Sequence, residues 1–202
     1  NEWFVVGGTI VGSSTSNSAL VTWNQVGSRS VRLIKTLSGG CKDTTDFAVT
    51  VNSKPTADIA GNSSVCLESQ ETYTTSQPGT NEWFVSGGTI VGANNESTLR
   101  INWTNLGANR VKLVKTNSSG CKDSASIVVD VNAKPAPDIK GIENTCAGTP
   151  ATYSTTQAGE YEWNASGGVI VGENNLSSVE IVWSALGANR VKLIMTNSAG
   201  CR

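Results

Sequence analysis

Hydrophobic and polar residues alternate along most of this chain with a period of two. Leu99, Ile101 and Trp103 fall on one side of the chain, and Arg100 and Asn102 fall on the other. Such alternation over about four to eight residues is typical of a half-buried strand. Gly, Pro and Asn separate the alternating runs, as expected of turns. The pattern predicts no helix, and it predicts strands at 56–60, 71–76, 81–86, 89–92, 97–103, 109–116 and 124–132.

The same pattern returns at a fixed step of 80 residues, without insertion or deletion. A fixed period of this size is the signature of a tandem array. We expect 1–54 to be the C-terminal part of one repeat, 55–134 to be a complete repeat, and 135–202 to be a repeat lacking its last strand. Because the chain begins within a repeat, we also expect it to be a window on a longer protein.

Seven short strands in about 80 residues, with no helix, predict an all-β fold. We expect a tandem array of immunoglobulin-like, PKD-like antiparallel β-sandwiches. A buried tryptophan usually anchors the core of a small sandwich, although an exposed one could instead stack on a sugar ring. We favour the core role for the six tryptophans, which are Trp3, Trp23, Trp83, Trp103, Trp163 and Trp183.

The cysteines follow the same step. Cys66 and Cys121 are 55 positions apart, as are Cys146 and Cys201. With no histidine in the chain, paired cysteines indicate disulfides rather than a zinc site. We predict the bridges Cys66–Cys121 and Cys146–Cys201, and we expect Cys41 to pair with a cysteine outside these residues. Disulfides imply an oxidising compartment outside the cytosol.

One position departs from the alternation. Ile34, Val114 and Ile194 lie on the outward side of their strand, yet all three are apolar. They could form a contact stripe for a neighbour, or they could mark a strand end at which the sandwich opens. We favour the strand end, where the stem of the adjacent Lys115 would lie along the rim of the core.

Composition limits the functions open to the chain. Its 15 Lys and Arg balance 16 Asp and Glu, and the net charge is −1. Without a basic stripe, binding to nucleic acid is not expected, and no apolar run is long enough to insert into a membrane. No histidine, nucleophile elbow or clustered carboxylates supply catalytic or metal-binding groups. We therefore expect no enzyme activity, no cofactor and no metal.

An ordered set of residues resembles a known family. It comprises a proline, an Ile-x-Gly, a cysteine, a tyrosine, Glu-Trp before Gly-Gly, a second tryptophan and Asn-Ser-x-Gly-Cys, here Pro55, Ile59, Gly61, Cys66, Tyr73, Glu82, Trp83, Gly87, Gly88, Trp103 and 117–121. The set is similar to the PKD-like repeats of giant Bacteroidota surface adhesins of the gliding-motility type. The Trp-x-Phe-Gly-Asp-Gly stretch of better-known PKD domains is absent.

The resemblance implies an immunoglobulin-like fold and export by the type 9 secretion system to the surface of a Gram-negative bacterium. It also implies O-glycosylation at Asp-Ser/Thr motifs. Two such motifs occur at equivalent places, Asp43-Thr44-Thr45 and Asp123-Ser124-Ala125. Thr44 and Ser124 are therefore the candidate glycosylation sites, although Asp and Ser/Thr also favour turns.

Short linkers favour a structural function. Val51 and Val131 are each followed by three residues and a proline, which leaves little slack between repeats. We expect an extended stalk of a surface adhesin, used in gliding or attachment. Its partners would be the neighbouring repeats of the same chain. Surface polysaccharide or other copies of the filament would be further partners. The alternatives are a repeated carbohydrate- or protein-binding module and the subunit of a surface polymer.

Overall fold

A computed structural model describes all residues from 1 to 202. The chain is all-β and contains no helix, which confirms the predicted fold class. The first segment holds five strands: β1 (Glu2–Val6), β2 (Gly8–Val11), β3 (Leu20–Trp23), β4 (Gly27–Thr36) and β5 (Lys42–Val51). The complete repeat holds seven: β6 (Ser64–Cys66), β7 (Gln70–Thr74), β8 (Thr80–Ser86), β9 (Gly88–Val91), β10 (Thr98–Trp103), β11 (Gly107–Thr116) and β12 (Lys122–Asn132). The last segment holds β13 (Pro150–Ser154), β14 (Glu160–Ser166), β15 (Gly168–Val171), β16 (Ser178–Trp183) and β17 (Arg190–Thr196).

Two sheets form the sandwich of the complete repeat. One has the order β7-β10-β9 and the other β6-β12-β11-β8. Strand β10 pairs antiparallel with β7 and with β9, whereas β6 and β12 run parallel. The inward residues of both sheets form one core, whose buried members are Val65, Tyr73, Trp83, Leu99, Ile101, Trp103, Val111, Leu113, Val129 and Val131. Burying each large apolar side chain contributes roughly 1.5–3 kcal/mol.

The start of the repeat differs from the prediction. Residues 56–60 form no strand, and only Ala60 makes an isolated bridge, to Thr74. The Asp58 carboxylate, which accepts hydrogen bonds from Thr75 Oγ1 (2.6 Å) and from Ser76, attaches this stretch to the end of β7 instead. The unpredicted strand β6 then adds to the edge of β12.

Close packing explains the glycine in the Ile-x-Gly motif. Gly61 has a φ of 156°, and a Cβ at this position would overlap the ring of Tyr73. Gly141 faces Tyr153 in the same way in the last segment. Each glycine therefore lets the chain pass directly over the tyrosine that closes one side of the core.

The chain forms two compact units. Unit 1 comprises 1–57, 77–80 and 115–123, and unit 2 comprises 58–76, 81–114 and 124–202. The turn at 117–121 belongs to unit 1, in which it contacts the backbone carbonyls of Asn52 and Ser53. Unit 2 holds the core of the complete repeat and a second core, around Trp163 and Trp183. The repeat boundaries at 54/55 and 134/135 remain a prediction from the sequence period.

Candidate functional site

The Asn-Ser-x-Gly-Cys segment forms a tight turn that Asn197 organises. The Asn197 side-chain oxygen accepts hydrogen bonds from the backbone amides of Ala199 and Cys201, both at 3.0 Å. The backbone closes the same turn, because Asn197 N–H donates to the Cys201 carbonyl at 3.1 Å. An asparagine can serve this role because its amide carries both an acceptor and a donor.

The side-chain NH₂ group of Asn197 attaches the turn to the linker that precedes the last segment. Its Nδ2 donates to the Ala133 carbonyl at 2.7 Å. The Cys201 sulfur lies 4.0 Å from the carbonyl oxygen of Asn132, the last residue of β12. Both contacts lie within unit 2, so the end of β17 is anchored where one repeat passes into the next.

A disulfide completes this junction. Cys66 is bonded to Cys201, and their Cα atoms are 5.5 Å apart. Cys66 reaches the turn because β6 runs parallel to β12, which places Cys66 opposite Asn132. Cys201 is fully buried. The bond therefore joins the front of the complete repeat to the final turn of the segment that follows it.

This pairing corrects the sequence prediction. The bridges Cys66–Cys121 and Cys146–Cys201 were wrong, because the turn at 197–201 lies beside the linker at 132–133, where β6 brings Cys66 to Cys201. Cys41, Cys121 and Cys146 are unbonded thiols in this structure. Pairing of Cys41 with a cysteine outside these residues remains a prediction.

The turn of the complete repeat has the same geometry within unit 1. Asn117 Nδ2 donates to the Ser53 carbonyl at 2.8 Å, and the Cys121 sulfur lies 3.9 Å from the Asn52 carbonyl oxygen. The equivalent turn of the first segment has Leu37 in place of asparagine, so it lacks the side-chain amide. Sequence reasoning noted both the linker and the turn but did not predict that they meet.

Polar contacts strengthen the approach to the junction. Lys134 Nζ and Glu68 Oε2 form an exposed ion pair at 3.1 Å, which contributes at most about 1 kcal/mol. Asp138 accepts hydrogen bonds from the hydroxyls of Thr155 (2.7 Å) and Thr156 (3.0 Å). The hydrogen bond from Thr155 has the largest effect, and together these bonds hold the pKa of Asp138 below its usual value. The sequence around Asp58 or Asp138 alone does not indicate a structural role. The two residues are 80 positions apart, however, and this equivalence could have indicated that both hold the start of a repeat.

The tryptophans differ between segments. Trp83, Trp103 and Trp163 are buried, and Trp183 is only 6% exposed. Trp83 Nε1 donates to the Glu96 carbonyl at 2.9 Å, so even its polar edge is bonded within the fold. None of these four rings offers a face to a ligand. Trp3 and Trp23 are half-buried.

The remaining sequence-predicted positions lie on the surface or near it. Ile34, Val114 and Ile194 are all half-buried. The neighbouring Lys115 is fully buried rather than lying at an open rim, which corrects that expectation. Thr44 and Ser124 are exposed, near the start of β5 and β12.

Two kinds of site are absent from the structure. No group of three or more His, Cys, Asp or Glu side chains is placed to hold a metal ion. With strands as its only regular elements, the chain has no helix of the length and hydrophobicity needed to cross a bilayer.

Comparisons with known proteins give only distant similarities. No protein-family model matches the chain, and no curated protein matches it. Among solved structures, the human desmocollin-1 ectodomain is 9% identical over 97% of this chain and 51% of its own, with a TM-score of 0.29. The surface layer protein SbsC, domains 1–6, is 12% identical over 100% of this chain and 33% of its own, with a TM-score of 0.29.

A glycan-binding complex is similarly distant. The Bacteroides ovatus mixed-linkage glucan utilization locus SGBP-B, in complex with a mixed-linkage heptasaccharide, is 15% identical over 99% of this chain, with a TM-score of 0.24. The chain spans about half the length of the desmocollin-1 structure (51%) and of the SGBP-B structure (56%). At such scores the likeness carries no conclusion about ligands or partners.

Proposed function

We propose that this chain consists of non-catalytic structural repeats in the extended stalk of a secreted cell-surface adhesin. The observation that carries the proposal is the junction in unit 2, where Cys66 is bonded to Cys201 and Asn197 is hydrogen-bonded to Ala133. A linker held by a covalent bond and by side-chain contacts has little freedom to bend. Repeats joined in this way suit a stalk that must transmit tension.

The disulfide also supports a location outside the cytosol, because such bonds persist in oxidising compartments. The finer assignment to Bacteroidota, to type 9 secretion and to gliding motility rests on the sequence resemblance to PKD-like adhesin repeats. O-glycosylation of Thr44 and Ser124 belongs to the same proposal, and their exposure supports it. Glycopeptide analysis of protein from the native host tests it, and unmodified Thr44 and Ser124 in that material would end it.

The absence of catalysis is part of the proposal. The most regular carboxylate, at Glu2, Glu82 and Glu162, stands beside a tryptophan with no second acid at a fixed offset. The chain has no histidine to act as a general base. The most deeply buried side chains form the hydrophobic cores of the complete repeat and of the last segment.

A binding module is the second candidate, and one observation favours it. Phe4 and Phe84 are each 45% exposed on outward faces. Phe4 lines a shallow groove of about 270 Å³ with Val6, Ser30, Arg32, Ile34 and Asp46, where an aromatic ring and a cation could contact a sugar. The last segment has Asn164 at the equivalent position, so the feature is not constant among repeats.

Small-angle scattering of the 202-residue chain separates a stalk from a compact module. Three repeats of about 35–45 Å each predict a maximum dimension above about 100 Å. A compact particle would contradict the stalk. Glycan-array binding that is lost in Phe4→Ser and Phe84→Ser, with the scattering unchanged, would favour the binding module.

A further inference from the structure

The inner face of unit 1 is open. Val31, Leu33 and Val49 are half-buried there, whereas their counterparts in the complete repeat are fully buried. Phe47, which lies opposite Val31 in the β4–β5 register, is 70% exposed. A groove of about 370 Å³ runs along this face and is lined by Trp3, Val31, Leu33, Thr45, Asp46 and Phe47.

One segment covers the same face in the complete repeat. Residues 59–74 contribute Ile59, Val65, Leu67 and Tyr73 to its core. The Tyr73 ring packs edge-on against Trp103, with ring centroids 6.2 Å apart. The pattern of this segment therefore identifies the chemistry that fits the open face of unit 1.

The edges of unit 1 are open at the matching places. Strand β7 pairs with β10, and β6 pairs with β12. By the 80-residue step, β3 corresponds to β10 and β5 corresponds to β12. Strand β3 pairs only with β2, and β5 pairs only with β4. Each therefore presents unpaired backbone groups to a further strand.

Cys121 marks the same place independently. Its sulfur lies 3.9 Å from the Asn52 carbonyl oxygen, as the sulfur of Cys201 lies 4.0 Å from that of Asn132. Cys201 is bonded to Cys66, which is paired with Asn132. A cysteine arriving beside Asn52 in the register of Cys66 would therefore lie within bonding distance of Cys121.

We propose that unit 1 is an acceptor for a polypeptide segment with the pattern of residues 59–74, and that Cys121 forms a disulfide with the cysteine of that segment. The segment would add one strand to β3 and one to β5 and would fill the groove with its tyrosine and its apolar residues. A second copy of this chain is not the occupant, because both of its own segments of this kind are engaged: 59–74 in β6 and β7, and 139–154 in β13.

The test uses the full chain and a synthetic peptide of residues 56–76, with Cys66 supplied as a mixed disulfide with glutathione. The Cys121 thiolate attacks the peptide sulfur, a new disulfide forms, and glutathione leaves as its thiolate, so no further oxidant is needed. Docking raises the local concentration of the peptide, and we expect Cys121 to react about tenfold or more faster than the exposed Cys41. Mass spectrometry of proteolytic fragments locates the bond.

A matched peptide with Val65→Ser and Tyr73→Ser keeps the activated cysteine but loses the apolar anchors. It should react with Cys121 no faster than with Cys41. A peptide with Cys66→Ser should bind without a bond and slow hydrogen exchange in β3 and β5. Equal reaction at Cys41, Cys121 and Cys146, or unchanged exchange in both strands, would overturn the proposal. A dimer in sedimentation without peptide, with β5 protected, would replace the proposed occupant with a second copy.

Discussion

The first 54 residues and the complete repeat share five equivalent strands, β1–β5 and β8–β12, yet only the complete repeat buries its core. Trp103 and Val129 are fully buried, whereas Trp23 and Val49 are half-buried. The two regions differ in the segment 55–79, which has no counterpart within residues 1–54. Two sheets with well-patterned inner faces therefore do not exclude water until the front segment closes them.

The comparison also shows that the front segment acts twice. Val65 and Tyr73 cover the core of their own repeat. Cys66, directly after Val65, bonds to the turn of the following segment. Closing one sandwich and fixing the next one in place therefore depend on the same short stretch of chain.

The largest expected effect is the truncation of a tryptophan on the covered side. Trp103→Ala should destabilise unit 2 by about 3–5 kcal/mol, because it leaves a large cavity in a closed core. Trp23→Ala, at the equivalent place in unit 1, should cost less than half as much, because water already reaches that side chain. Hydrogen exchange of β10 and β3 measures each region separately. Equal losses in the two variants would break the comparison.

Loss of the bridge should come next. Cys66→Ser opens a closed loop with a sequence separation of 135 and should cost about 2–5 kcal/mol of stability in unit 2. Cys146→Ser is the matched control and should change nothing, because Cys146 is exposed and unbonded. Thermal unfolding followed by circular dichroism gives both values.

Pulling the chain by its two ends sharpens the same point. The intact bridge withholds 135 residues from extension, which is about 450–490 Å of contour length. Reduction should release that length in single-molecule unfolding traces. Equal lengths in oxidised and reduced protein would contradict the bridge.

A smaller effect is expected at the turn. Asn197→Ala removes the donor to Ala133 and the side-chain oxygen that accepts two hydrogen bonds within the turn, which should cost roughly 1–2 kcal/mol. Asn197→Asp keeps the accepting oxygen but places a second carboxylate oxygen against the Ala133 carbonyl oxygen, so it tests the donor alone and should also destabilise the turn. In the first segment, Leu37→Asn supplies the missing amide and should slow hydrogen exchange at 39–41. No change in that exchange would show that the turn gains nothing from the asparagine.

The last effect concerns Tyr73 and is confined to alkaline pH. Burial raises the pKa of Tyr73 from 10.0 to about 12, so its hydroxyl stays protonated in the folded repeat when the unfolded chain has ionised. The folded repeat therefore keeps its full stability below pH 10. It loses stability as the pH rises from 10 toward 12, because the tyrosine of the unfolded chain ionises first. Tyr73→Phe should remove this alkaline decline in denaturant titrations of unit 2. An unchanged decline would assign it to another group.

Sequence reasoning could predict the strands because alternation reports directly which side chains face inward. Leu99, Ile101 and Trp103 are buried as that alternation requires. It could not predict β6, because Ser64–Cys66 is only three residues long and carries no alternation. Nor could it predict that residues 56–60 would use the Asp58 carboxylate instead of a strand ladder.

The disulfide partner was ambiguous for a different reason. With a repeat of 80 residues, cysteines 55 apart within one repeat and 135 apart across two repeats satisfy the same period. Only the parallel pairing of β6 with β12, which brings Cys66 to Asn132, decides between them. Such a long-range contact leaves no trace in local sequence pattern.

The most direct test is peptide mapping of the unreduced chain after its free thiols are alkylated. Trypsin places each cysteine on a separate fragment, including 43–100 for Cys66, 116–122 for Cys121, 141–190 for Cys146 and 193–202 for Cys201. The structure predicts one linked pair, 43–100 with 193–202, and alkylated Cys41, Cys121 and Cys146. Linkage of 43–100 with 116–122, together with 141–190 to 193–202, would contradict a bond across the junction.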